Sequence, residues 1–185
     1  MSEATAGETL LEVPIVTTLP EDHVRGGGAI VVAIGDNAVR EQVWTRLREA
    51  APIECFPAVC HASSVIAGGA SLSAGSLVLQ GAVIGNGATV GTGALVNTGA
   101  ILDHESVMAH FSSLAPRAVT GGRVRVGART AISIGAVIRH GVTVGHDTVV
   151  GAAAYVHRDL PDDVVAYGVP ARIVRARTHG EPYLG

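Results

Sequence analysis

From Ile66 onward, an apolar residue recurs at every sixth position: Leu72, Val78, Ile84, Val90, Val96, Leu102, Met108, Leu114, then Val126, Ile132, Ile138, Val144, Val150 and Val156. Of sixteen positions in this one register, fifteen are apolar and only Thr120 is not. Four residues after each comes a mostly small one, such as Ala82, Ala88, Ala94, Ala100, Ser106 and Ser112. The residue just after the apolar position is often glycine, as at Gly85, Gly91, Gly121, Gly127, Gly145 and Gly151, which the pattern assigns to tolerance of a corner's backbone. Neither a helical period of 3.6 nor a strand period of 2 gives this spacing, whereas an internal repeat does. Six residues supply one short strand and one corner, and three such units close a triangular coil. Stacked coils then pair their backbones at about 4.8 Å. The pattern predicts an all-β parallel β-helix over residues 61–161, followed by a tail over 162–185.

Reading the residue before each apolar position, in steps of eighteen, separates the outward faces. One stack is Val65, Val83, Ile101, Val119, Val137 and Tyr155, apolar on every coil, while another is Ser71, Thr89, Val107, Arg125 and Thr143, mostly polar. An uninterrupted apolar surface implies a partner, and on a three-sided prism it predicts a homotrimer packed along that edge.

Upstream of the repeat the periodicity changes. Residues 29–35 read as a buried strand ending in glycine, and Asp36 or Asn37 caps a helix running to about Ala50 with Val39, Val43, Trp44 and Leu47 on one face. Pro52 to Val59 reads as a further strand, making residues 1–60 a truncated Rossmann-like βαβ segment. Residues 1–28 read as irregular, with a short strand near Val13 to Val16. No phosphate-cradling GxGxxG follows a strand, because Gly26-Gly27-Gly28 precedes one.

Composition narrows the function. The chain is 48% hydrophobic but 3% aromatic, so its core is aliphatic. The net charge is −3 with no basic run, which argues against nucleic acid as a partner. Cys55 and Cys60 lack CxxC spacing and make no disulfide framework. There is no signal-peptide pattern and no membrane-length apolar run, which predicts a soluble, cytoplasmic protein without a membrane partner.

His104 sits three residues past Ile101 on the apolar edge, between Asp103 and Glu105. A histidine with a neighbouring carboxylate has the pKa range and the tautomer control that a general base needs. His104 and His140 lie two coils apart in one stack, about 10 Å by strand spacing, and His110 and His146 are related in the same way. Zinc requires ligands about 2 Å from the metal, so neither pair makes a site within one chain and no metal is expected.

The block at 97–105, Asn-Thr-Gly-Ala-Ile-Leu-Asp-His-Glu, followed by Val-Thr-Gly-Gly-Arg-Val-Arg-Val-Gly at 119–127, resembles the hexapeptide-repeat sugar acyltransferases of the sialic acid O-acetyltransferase and bacillosamine N-acetyltransferase type. Asp-Leu-Pro-Asp-Asp at 159–163 and Tyr-Gly-Val-Pro-Ala-Arg at 167–172 resemble the coenzyme-binding end of that family. The resemblance implies a left-handed coil, acetyl-CoA as acyl donor, and a small-molecule sugar or amine acceptor. It implies that His104 deprotonates the acceptor, that Glu105 orients His104, and that Asn97 and Asp103 lie beside the acceptor. It also implies that the Gly122 amide binds the thioester carbonyl, and that Ile134 and Ala152 line the coenzyme channel.

Two departures stand out. Ser113 occupies the donor-contacting position where the family carries histidine, and the glycine-rich turn that grips a nucleotide-sugar is missing. The acceptor therefore stays open between a nucleotide-linked amino sugar, a free or glycoside-linked one, and another small amine or alcohol. Two other readings compete with the enzyme: a non-catalytic trimeric β-helix scaffold, and a metal-dependent hydratase of the carbonic-anhydrase type.

Overall fold

The computed structural model describes residues 20–183, together with 9–10, 12–14, 16 and 18. Its body is a left-handed parallel β-helix, with a two-residue strand at every repeat from Val65–Ile66 to Tyr155–Val156. Strands eighteen residues apart pair in parallel, as Ile101 does with Val83 and Val119. Three faces result. Face I carries Leu77–Val78, Leu95–Val96, Ser113–Leu114, Ala131–Ile132 and Val149–Val150. Face II carries Val65–Ile66 through Tyr155–Val156, and face III carries Ser71–Leu72 through Thr143–Val144.

The six-residue stripe fills the interior as its spacing predicts. From Val78 to Val156 each of its members is essentially inaccessible, and Ala82, Ala88, Ala94 and Ala100 pack beside them. Burying each Val, Leu or Ile contributes about 1.5–3 kcal/mol, so the stripe is the main source of stability. Ile66 is partly exposed because no complete coil lies beneath it.

The corner glycines have a different role from the one expected. The left-handed backbone falls two residues later, at positions such as Gly87 and Gly99 but also Glu105, Phe111, Arg117 and Arg123. Gly85 and Gly127 are glycine because the next coil's backbone presses against them: a Cβ there would lie 2.4 Å from His104 N and 2.4 Å from His146 N respectively.

The expected βαβ segment is not formed. Residues 29–35 join no sheet and are tied to 53–55 by a backbone bond from Ile30 N–H to Cys55 O (2.7 Å). A strand needs a neighbour to satisfy its backbone, and among the described residues none lies alongside. The segment expected as a second strand is a 3₁₀ turn, Ile53–Cys55, and Val59–Cys60 instead starts face I by pairing with Leu77–Val78. Upstream, Thr9–Leu10 pairs with Val13–Pro14, and a short helix, α1, spans Glu21–Arg25.

The longer helix, α2, covers Asn37–Ala50, capped by Asp36, whose Oδ1 accepts from Ala38 N–H (3.0 Å) and Val39 N–H (3.1 Å). Val43, Trp44 and Leu47 pack with Ile30, Val32 and Phe56, but Val39 is exposed. The residue on the coil-facing side that apolar patterning misses is Arg40, 1% exposed. Its guanidinium donates to the carbonyls of Gly93 (2.8 Å), Ile34 (2.8 Å) and Phe111 (2.9 Å) and to Asn37 Oδ1 (2.6 Å), which fixes α2 to the coil. Burial lowers its pKa, opposed by Tyr183 and Asp36.

After the last coil, strands Val164–Gly168 and Ala171–Ala176 form an antiparallel hairpin, and Val164–Gly168 extends face I by pairing with Val149–Val150. Among the described residues no helix is long and apolar enough to cross a membrane.

Candidate functional site

The predicted site residues fall on two surfaces of the coil, separated by face II. Asp103, His104, Glu105 and Gly122 occupy the corner between faces II and III. Asn97, Ser113, Ile134 and Ala152 line a groove of about 320 Å³ that runs from the corner between faces I and II across face I. None of the four II/III corner residues contributes to that groove. Within one chain the predicted residues therefore form two separate groups.

In the II/III corner, Asp103 Oδ1 accepts from the His104 backbone N–H (2.7 Å) and from Nδ1 (3.0 Å). The backbone bond, then the side-chain bond, holds the Asp103 carboxyl below its ordinary pKa. An ionised Asp103 fixes the proton on Nδ1 and leaves the Nε2 lone pair free; this tautomer is assigned from the hydrogen bonds. The carboxylate that touches the ring is Asp103, whereas Glu105 was the one expected to orient it. Glu105 is the left-handed corner residue (φ 55°), and its side chain extends over Gly87 on the neighbouring coil.

The His104 ring leans across the next coil. A Cβ at Gly122 would lie 2.2 Å from Cε1 and 2.3 Å from Nε2, so only glycine leaves room for it. For the same reason His104 and His140 stand closer than strand spacing suggests, with ring centroids 6.5 Å apart. His140 Nε2 accepts from Arg123 Nη2 (2.9 Å). Among the described residues the Gly122 N–H has no acceptor.

Thr120 explains the one interruption of the apolar stripe. It is buried, and its Oγ1 accepts from Asp103 N–H (3.0 Å) and donates to Ile101 O (3.4 Å). Ser106 supports the other end of the corner, donating to Gly121 O (3.2 Å) and accepting from Val124 N–H (3.0 Å). A polar residue at an interior repeat position was the sequence signal for this support.

The groove is floored by outward residues of face I and walled by Pro116, Ile134, Ala152, Gly35, Tyr167 and Tyr183. Its lining is mostly apolar. Tyr167 lies over Gly151, where a Cβ would meet the ring at 1.8 Å. Ser113 is 6% exposed, so it offers little to the groove, whereas Tyr183 beside it donates from Oη to Gly35 O (3.1 Å). Neither tyrosine was singled out by the repeat, since both follow its end.

His146, Asp147 and Asp163 bring potential ligand atoms within 4.8 Å of one another. Asp147 is already shared, however. Arg129 donates to both its oxygens (2.9 and 2.6 Å), and His146 (3.1 Å) and His179 (3.0 Å) also bind it. Burial raises its pKa, but Arg129 and the two histidines outweigh that and bring it down to about 2. The Asp147 carboxylate is thus committed to a charge network with Arg129, His146 and His179. His110 packs edge-on against Phe111.

No protein-family model matches the chain, and no curated protein matches it. Solved structures do. A perosamine N-acetyltransferase from Caulobacter crescentus, in complex with CoA and GDP-perosamine, is 35% identical over 90% of this chain and 80% of its own, with a TM-score of 0.84. The acetyltransferase domain of PglB from Neisseria gonorrhoeae, in complex with acetyl coenzyme A, is 27% identical over 94% of this chain and 84% of its own, with a TM-score of 0.84. WeeI from Acinetobacter baumannii is 25% identical over 91% and 82%, with a TM-score of 0.80. With its left-handed hexapeptide coil and this identity over most of both chains, the protein belongs to the hexapeptide-repeat sugar acyltransferases.

Proposed function

We propose that the protein transfers an acetyl or other short acyl group from a CoA thioester to an amine or hydroxyl of a sugar-like acceptor. The observation that carries this is the II/III corner: a histidine whose Nδ1 is held by a carboxylate and whose Nε2 sits against the open α-carbon of Gly122, a residue whose N–H has no acceptor among the described residues. The relatives' CoA and sugar complexes support a thioester donor and favour an amino sugar as acceptor.

In this reading His104 Nε2 takes the proton from the acceptor nitrogen or oxygen as that atom attacks the thioester carbonyl. The Gly122 N–H donates to the oxyanion that develops. The carbon–sulfur bond then breaks, and the CoA thiolate takes the proton back from the imidazolium. No covalent enzyme intermediate is needed, and neither cysteine belongs to either group: Cys55 is buried and Cys60 lies on the first strand of face I. Asp103 keeps the imidazole oriented, Asn97 contacts the acceptor, and the groove along Ile134 and Ala152 takes the pantetheine arm.

The two groups are half-sites joined by a second subunit. Face II between them carries Val65 (61% exposed), Val137 (43%) and Tyr155, with Val83, Ile101 and Val119 half-buried, an apolar strip open to a partner. A homotrimer packed on this face sets one subunit's His104 corner against its neighbour's groove, so each site takes residues from two chains. Val119→Arg should convert the trimer to monomer in analytical ultracentrifugation and abolish turnover together.

The chemical test is CoA-thiol release with a panel of nucleotide-linked and free amino sugars. His104→Ala should lower kcat by about 10²–10⁴-fold while acetyl-CoA binding persists. Unchanged turnover in that variant would sink the mechanism.

A further inference from the structure

The floor of the groove has an irregular profile. Its outward residues run Leu95, then Ser113 and Ala131, then Val149, so two small side chains leave a recess midway along it. The recess is not empty. Tyr183 packs against Ala131, Val149 and Val165, and its hydroxyl reaches Gly35 O across the groove (3.1 Å). This accounts for the burial of Ser113 and Ala131 at 6% and 2% exposure.

The segment that delivers Tyr183, residues 177–183, is a strap tied down at several points. Arg177 is buried; its Nη1 donates to Asp147 O (2.7 Å), its Nη2 to Glu181 O, and its guanidinium stands 5.8 Å from the Tyr183 ring. His179 Nδ1 binds Asp147 Oδ1 (3.0 Å). The Glu181 carboxylate is held by Arg175 (2.6 Å) and by Thr178 N–H (3.2 Å). Asp147 is in turn clamped by Arg129 of the coil, so the strap is fixed to the solenoid. That much anchoring fixes the tyrosine's place in the groove and limits its freedom to swing aside.

We propose that Tyr183 is the specificity-determining residue of the donor groove: its ring fills the recess beside Ser113 and confines the donor to a short acyl group. The inference rests on the reading of the groove as the CoA thioester's site. An acyl chain longer than acetyl has to extend from the thioester toward the recess or out of the groove, and the ring closes the first route. An apolar pocket distinguishes ligands by about 10–200-fold per misfitting methylene, so a single ring is enough to exclude a chain of several carbons.

The test is calorimetric binding of CoA, acetyl-CoA and hexanoyl-CoA to the full chain, which needs no acceptor. Wild type should bind acetyl-CoA at least ~10-fold more tightly than hexanoyl-CoA. Tyr183→Ala, and Tyr183→Leu as a variant that keeps part of the packing, should narrow that gap to within about 3-fold. Tyr183→Phe should keep it, because the ring is the obstacle. Arg177→Met, which releases the strap, should move in the same direction as Tyr183→Ala. Acetyl-CoA binding with the wild-type gap retained in both Tyr183→Ala and Tyr183→Leu would overturn the role of Tyr183 alone. Failure of wild type to bind CoA or either thioester would overturn the donor reading, and this inference with it.

Discussion

Gly122→Ala adds one methyl group to the coil beside His104, and the structure says where it would go. An ideal Cβ at position 122 lies 2.2 Å from His104 Cε1 and 2.3 Å from Nε2, against about 3.5–4.0 Å for carbon contact. The imidazole must withdraw by more than about 1 Å, and it can, because it is the mobile end of a side chain. A misplacement of ~1 Å at a reacting group costs about 10²-fold in rate, or about 2.7 kcal/mol of transition-state stabilisation. Two features make the substitution clean. The backbone at 122 is outside the left-handed region, so alanine adds no backbone strain, and a gain of about 0.4–1 kcal/mol through the unfolded chain offsets the cost of moving the ring. The 122 N–H is also retained, so loss of activity reports on the base and not on the oxyanion donor. The measurement is kcat/KM by thiol release, paired with a thermal melt. We expect kcat/KM down about 100-fold with the melting temperature unchanged or higher. Activity within a few-fold of wild type would refute the placement of the His104 ring over Gly122 in the working enzyme.

Thr120→Val keeps the shape of the interior but removes the acceptor for Asp103 N–H; it should cost about 1–2 kcal/mol in urea denaturation and lower kcat more than KM, with Thr120→Ser restoring both. Arg40→Leu leaves six acceptors, on residues 34, 35, 37, 93, 111 and 112, without their donor; at about 1–3 kcal/mol for each one left buried and unsatisfied, we expect a loss of several kcal/mol and faster amide exchange across Asn37–Ala50, whereas unchanged exchange would count against the anchoring role. Asp147 has a folded pKa of about 2, below its ordinary 3.8, so its contribution is present above the unfolded value and is lost as pH falls toward 2. Wild type should therefore lose on the order of 2 kcal/mol more than Asp147→Asn between pH 5 and 2, read from denaturation midpoints across that range.

The repeat was legible because its physics is local. Every sixth residue from Val78 to Val156 must be small enough or apolar enough for the interior of a narrow prism, and each two-residue strand appears at the position that the stripe dictates. The helix after Asp36 was legible through its cap. The segment at 29–35 does not form the strand its apolar run predicts, because such a run shows only that a strand could be buried, not that a neighbour exists to pair with it. Arg40 was illegible for the opposite reason: its burial depends on carbonyls from residues 93 and 111, brought together only by the fold. Glu105 and Asp103 are both adjacent to His104 in sequence, and only the corner's geometry decides that Asp103 faces the ring while Glu105 turns away at positive φ.

Side chains at equivalent corner positions stack every eighteen residues, about 4.8 Å apart, which leaves too little room for two large groups to lean the same way. A ring can turn onto the neighbouring coil only where that coil has glycine. His104 does so over Gly122, and Phe111 over Gly93, each pair separated by one coil in sequence. Such pairs can be found by reading the chain in steps of eighteen, and they mark where the solenoid departs from pure repetition: Phe111 meets Trp44 of the helix at 5.6 Å, and the His104 ring lies against Gly122. Tyr167 over Gly151 uses the same device, but the hairpin that carries it lies past the last coil, where the step of eighteen no longer applies. The groove along face I depends on that hairpin and on the strap behind it, so the His104 corner is written in the period of the sequence and the groove's outer wall in contacts that no period encodes.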